Sequence, residues 1–98
     1  PDDPGALSNL AFVIAEEGDT AGAALLWERA TRLAPSYADA YAGLAVAQWR
    51  LGDRDRSRSL YRKAIGLDGT YADPQQLGPI HYWTPEAVKT ATQIRSAH

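Results

Sequence analysis

Displaced by 34 positions, the chain overlays itself. Ala6, Leu10, Ala11, Gly18, Asp19, Leu26, Ala30, Leu33, Tyr37, Ala38 and Asp39 recur as Ala40, Leu44, Ala45, Gly52, Asp53, Leu60, Ala64, Leu67, Tyr71, Ala72 and Asp73. Pro1 and Pro35 belong to the same series, and Gly69 stands in its next place. A chain organised this way solves one packing problem twice. Each unit has an apolar face it cannot cover alone, and its neighbour covers it.

Within a unit the apolar spacing is helical, and there are two helices. Leu7, Leu10, Ala11 and Ile14 form the first stripe. Gly18-Asp19 stops that helix and caps the next, since glycine accepts a left-handed turn and aspartate satisfies free amides. Ala23, Leu26, Trp27, Ala30 and Leu33 form the second stripe, which Pro35 ends. The second unit repeats the plan with Tyr41, Leu44, Ala45 and Gln48, then Gly52-Asp53, then Ser57, Leu60, Tyr61, Ala64 and Leu67. Small residues sit beside large ones at fixed offsets. Ala11 and Ala45 let paired helices approach, and Ala23 and Ala30 flank Trp27.

This pattern resembles the tetratricopeptide repeat family. The first unit carries Leu7, Leu10, Ala11, Ile14, Ala23, Trp27, Ala30 and Pro35 in the family's register. The second carries Tyr41, Leu44, Ala45, Tyr61 and Ala64, and departs from the pattern at Gln48, Ser57 and Gly69. The resemblance covers roughly residues 2–71. It implies an all-α fold of antiparallel helix-turn-helix repeats stacked as a right-handed superhelix. One domain over 1–98 is expected, with repeat 1 at 2–35, repeat 2 at 36–71 and a degenerate third repeat or cap at 72–98. Pro1 falls where the closing proline of an earlier repeat would lie, so at least one repeat is expected upstream.

The third unit loses the pattern. Asp73-Pro74 suits a helical turn, with aspartate as cap and proline first. Gly78 and Pro79 then fall where the family has leucine and a small residue, so no regular first helix is expected. Thr84-Pro85-Glu86 is a helix start. Ala87, Val88, Ala91 and Ile94 give that helix one apolar face, and Ala91 keeps phase with Ala23 and Ser57. Leu77, Ile80, Tyr82 and Trp83 are expected to pack against the second helix of repeat 2. A similar ending, Asp-Pro followed by a Trp-Thr/Ser-Pro-Glu helix start, closes some bacterial members of the family.

The resemblance also implies a concave groove lined by the first helix of each repeat. Its candidate partner-binding residues here are Asn9, Phe12, Glu16, Val46, Trp49 and Arg50. Phe12, Val46 and Trp49 would form an apolar floor. Asn9 and Arg50 would bond a peptide backbone or carboxylate. The alternative is that Phe12 and Trp49 pack between neighbouring helices. The clamp with which some relatives hold chaperone C-terminal tails is missing. Its positions carry Ser8, Phe12 and Gly43 in one register, and Asp39 and Gly43 beside a matching Asn9 in the other. Chaperone tails are therefore not expected as partners.

Other chemistry finds little to build on. The 98 residues include no cysteine and two histidines, His81 and His98, which leaves no thiolate site and few metal ligands. His81, flanked by Tyr82 and Trp83, reads as a packing residue. No Gly-rich phosphate loop, no Gly-x-Ser-x-Gly elbow and no base near Ser57 or Ser59 is present. No enzymatic activity, cofactor or metal is expected. Arg54, Arg58 and Arg62 line one face of a helix within a basic run from Arg50 to Lys63, but the net charge is −2. The one aromatic residue within the run, Tyr61, belongs to the apolar stripe of that helix, so the run reads as a solvated face and nucleic acid is not expected. No apolar run spans a membrane and no targeting segment is visible, which favours the cytoplasm.

Two functions follow as expectations. The first is a non-enzymatic interaction module that binds a peptide or partner helix through the concave face. The second is an assembly element that stacks on further repeats, or self-associates through the open face bearing Leu7, Leu10 and Ile14.

Overall fold

The computed structural model describes residues 3–96, so Pro1 and His98 lie outside the described residues. Among these, the chain is all-helical: α1 (Pro4–Glu16), α2 (Thr20–Leu33), α3 (Ala38–Arg50), α4 (Arg54–Leu67), α5 (Leu77–His81) and α6 (Pro85–Ser96). Two 3-10 turns, Gly69–Ala72 and Pro74–Gln76, link α4 to α5. No strand occurs among the described residues.

The repetition of sequence is a repetition of local geometry. Gly18 and Gly52 both adopt φ 96°, the left-handed region a side chain resists. The amide of Gly18 bonds the Ala15 carbonyl at 3.0 Å and that of Gly52 bonds Trp49 at 3.1 Å. The amides of Asp19 and Asp53 reach back to Ile14 and Gln48, each at 2.9 Å. The same two aspartates then accept from Gly22 (2.8 Å) and Arg56 (3.1 Å) to cap α2 and α4. Identical two-residue punctuation thus yields two helical hairpins of 13- and 14-residue helices. Short turns and matched lengths lay the members of each hairpin side by side, and α2 also packs on α3 to join the hairpins.

The core follows the small-beside-large pattern. Trp27 and Tyr61 occupy the same repeat position and both are fully buried. Ala11, Ala23, Ala30 and Ala40 are buried with Trp27, and Ala45 and Ala64 with Tyr61. Gly43 gives Trp27 its place. A Cβ at 43 would overlap Cε2 and Nε1 of the indole. Burial of a side chain this large makes its truncation cost about 3–5 kcal/mol.

The two apolar stripes are not equally covered. Leu44 and Ala47 are 2% and 1% exposed, whereas their counterparts Leu10 and Val13 are 49% and 55% exposed. The reason is position: α1 and α2 pack against Leu44 and Ala47, and no described element lies over Leu10 and Val13.

The C-terminal segment departs from the repeat as its glycine and proline require. The turn after α4 still copies the turn after α2, with Tyr71 bonding back to Asp68 as Tyr37 does to Ala34. Asp73 then caps the Pro74–Gln76 turn. A short helix nonetheless forms through Gly78 and Pro79, because Pro79 falls in the first turn of α5, where its missing N–H has no partner to lose. Thr84 accepts from the Ala87 amide at 3.2 Å and starts α6, which lies against α3 and α4. Ala87, Ala91 and Ile94 are buried there as the spacing predicts. Leu77 and Trp83 are also buried, but the expectation for Ile80 and Tyr82 fails. Both are exposed, because α5 is too short to bring more than one face inward.

Gly43→Ala is expected to destabilise the protein by about 1–3 kcal/mol through the Trp27 overlap. Gly66→Ala, whose Cβ would meet nothing in α4, should stabilise by about 0.5–1 kcal/mol. Urea unfolding midpoints of the two variants check the opposite signs.

Candidate functional site

Six residues were expected to line a concave groove, and they have three different environments. Val46 and Trp49 are buried in the core. Phe12 is half-buried, edge-on to Trp27 (centroids 4.9 Å) and to Trp83 (5.3 Å). The apolar floor is therefore covered by the chain's own C-terminal segment. Glu16, Arg50 and Asn9 remain exposed. Arg50 is held against α6: its Nε and Nη2 donate to Thr90 Oγ1 (3.2 and 3.1 Å), and Nη2 also donates to the Glu86 carbonyl (3.2 Å). Glu16 accepts from Thr84 Oγ1 at 2.8 Å.

These contacts leave a trough of about 390 Å³ between the C-terminal ends of α1 and α3 and the outer side of α6. Glu16 and Arg50 line it together with Glu86, Lys89, Thr90 and Gln93. The last four belong to α6, and no periodicity argument marks them: Glu86, Lys89 and Gln93 lie on its polar side, and Thr90 is buried against Arg50. Two carboxylates and two cations line the trough, which suits a peptide backbone or mixed side chains.

Asn9 belongs elsewhere, to a second pocket of about 430 Å³. Here the structure brings together Asn9, Tyr37, Asp39, Asp68, Tyr71 and Tyr82. Asp39 is the junction beneath it. The Tyr71 hydroxyl donates to Asp39 Oδ1 at 2.6 Å and Trp83 Nε1–H donates to the same oxygen at 2.9 Å. Ser8 donates to Oδ2 at 3.2 Å and itself accepts from Trp27 Nε1–H at 3.1 Å. One carboxylate thus ties α1, α3, the 69–72 turn and the approach to α6 together, and through Ser8 it reaches α2. Every buried side-chain polar atom among the described residues has a partner.

His81 stacks on Tyr71 (centroids 4.4 Å, 18° between planes) with Nε2 2.9 Å from Thr70 Oγ1. Thr70 in turn donates to Asp68 Oδ1 at 2.7 Å. His81 is thus a packing residue bonded into the pocket wall. Among the described residues no three His, Asp or Glu side chains gather as metal ligands. The basic run is largely spoken for. Arg54 lies over the Trp49 ring at 4.2 Å, Arg56 pairs with Glu28 at 2.9 Å, Arg58 pairs with Asp55 and Lys63 faces Tyr41.

Burial controls the tyrosines. It pushes Tyr61 up to about 12, against a smaller opposing effect of Arg95. Burial, then the charge of Asp39 and its hydrogen bond, raise Tyr71 further. Tyr37 is raised by burial and then by Asp39. Bonds from Thr70 hold the Asp68 carboxyl below the usual carboxylate range, with a small contribution from His81. No family model matches this chain, and no curated protein matches it. No helix among the described residues is long and apolar enough to cross a membrane.

The tyrosine shifts set an alkaline limit. Unfolded tyrosines lose their protons near pH 10, and folded Tyr61 and Tyr71 hold theirs above that. Their contribution to stability is complete below about pH 10 and drains as pH rises through the folded values, about 12 for Tyr61. Urea midpoints are expected to decline above about pH 10, with tyrosinate absorbance of two residues rising together with loss of helical circular dichroism. Ionisation of all tyrosines with the helices intact would contradict this.

Proposed function

We propose that the chain is a tetratricopeptide-type interaction module, two repeats and a C-terminal cap arranged as the end of a right-handed helical solenoid. It binds a peptide or partner helix and does not catalyse. The observation that carries this reading is the trough where Glu16 and Arg50, one from each repeat's first helix, meet Glu86 and Lys89 of α6. The equivalence of the two hairpins, down to their turn hydrogen bonds, supports the repeat assignment. The cap narrows the binding face rather than leaving it open, because Trp83 and α6 cover the apolar floor. The partner is accordingly held by charge-assisted hydrogen bonds at the trough walls.

A second reading has its own observation. Of the open face expected at Leu7, Leu10 and Ile14, Leu7 is buried and Ile14 half-buried; Leu10 is exposed together with Val13, where the matching Leu44 and Ala47 are buried by the preceding hairpin. A face built to be covered in one repeat and left uncovered in the other fits stacking on a further repeat or a second copy.

The two readings separate by variant. A Glu16→Ala, Lys89→Ala double variant, both positions exposed, should fold as wild type and lose captured partners in affinity purification. Unchanged capture would remove the trough. Light scattering over a concentration series tests the other surface. Association that Leu10→Glu abolishes would favour assembly, and a monomer throughout would oppose it.

A further inference from the structure

The pocket around Asn9, Tyr37 and Asp39 differs from the trough in its charge, and the difference identifies what it can hold. Its lining has two carboxylates, Asp39 and Asp68, and no lysine or arginine. The donors that reach Asp39 are all neutral: the hydroxyls of Ser8 and Tyr71 and the indole N–H of Trp83. Asp68 takes its bonds from the amide and hydroxyl of Thr70, with His81 Nε2 3.8 Å away. The negative potential therefore falls on the open volume. Tyr37, which lines that volume, is raised by burial and then by Asp39.

The walls are aromatic. Tyr37 lines the pocket, the stacked pair of His81 and buried Tyr71 backs it, and Tyr82 stands at its rim, 89% exposed, with Ile80 also exposed beside it. Tyr82 is the sole described non-glycine residue with positive φ (60°), in the turn that closes α5. Glycine is the usual occupant of such a position. A tyrosine here gives up backbone ease and gains no burial, so its ring serves neither the turn nor the core. Carboxylates at the base and π faces at the sides are what a desolvated organic cation needs. The volume, about 430 Å³, lies in the range of small-ligand sites. A metal ion is poorly served, since no three ligand side chains converge among the described residues.

We propose that this pocket binds an alkylguanidinium or alkylammonium group, the end of an arginine or lysine side chain, with Asp39 and Asp68 facing the charge and Tyr37 and Tyr82 flanking the alkyl stem. The site is separate from the trough and stands whether or not the trough binds a peptide.

The experiment is an NMR titration of the labelled protein with N-acetyl-arginine amide, N-acetyl-lysine amide and, as neutral control, N-acetyl-glutamine amide. Saturable shifts confined to the amides of residues 36–39, 67–71 and 80–82 are expected for the two cations and none for the control. Asp68→Asn, which keeps an acceptor for Thr70, should weaken binding about fivefold, and added salt should weaken it too. Tyr82→Gly relieves the backbone and so tests the ring in a protein at least as well folded; it should also weaken binding. An arginine-bearing peptide that binds more tightly than the capped residue identifies a protein partner as the source, and equal affinity identifies a free amine. Either supports the cation site. Equal shifts with the neutral control, no saturation by either cation, or unchanged affinity in both folded variants would overturn it.

Discussion

A single carboxylate holds the molecule's two halves in relation. Asp39 sits in the first turn of α3, where negative charge is favourable near the helix N-terminus. Its oxygens collect one bond from α1, one from the 69–72 turn and one from the residue that leads into α6. Apolar packing alone is non-directional and would let the cap slide over the second hairpin. Three donors converging on one acceptor group fix its angle and register. The donors are themselves buried or half-buried, so losing the acceptor would leave each to bear its own desolvation, about 1–3 kcal/mol apiece.

Much of the fold was legible because it depends on spacing. The two hairpins, their Gly-Asp turns and the apolar face of α6 all follow from periodicity and capping, and each stands where the residues place it. Asp39 shows where such reading stops. As a repeat residue it matches Asp73, and the sequence treats the two alike. Asp73 merely caps a turn, while Asp39 is the hub. What separates them is Trp83, 44 residues further on, and no local rule couples those positions. The same holds for Ser57, which stands where the first unit has Ala23 and whose hydroxyl proves to be bonded to the Ala45 carbonyl at 2.6 Å.

The candidate groove was read from the first helix of each repeat, and the cap decides what remains of it. α6 covers Val46 and Trp49, and Trp83 meets Phe12. The polar residues at the edge, Glu16 and Arg50, thereby become the walls of a narrower trough. Asn9 separates from them and joins a pocket whose other members come from three segments, 36–39, 67–71 and 80–82. Capping and site formation are one event here: the segment that completes the core also creates both cavities.

Asp39 couples the C-terminal segment to the two hairpins, and its repeat counterpart Asp73 provides the internal control. Equilibrium urea unfolding of Asp39→Ala and Asp73→Ala compares the same substitution at equivalent positions. A loss of about 3 kcal/mol or more is expected at Asp39, where buried donors are orphaned, against about 1 kcal/mol at the exposed Asp73 cap. Equal losses at the two positions would contradict it.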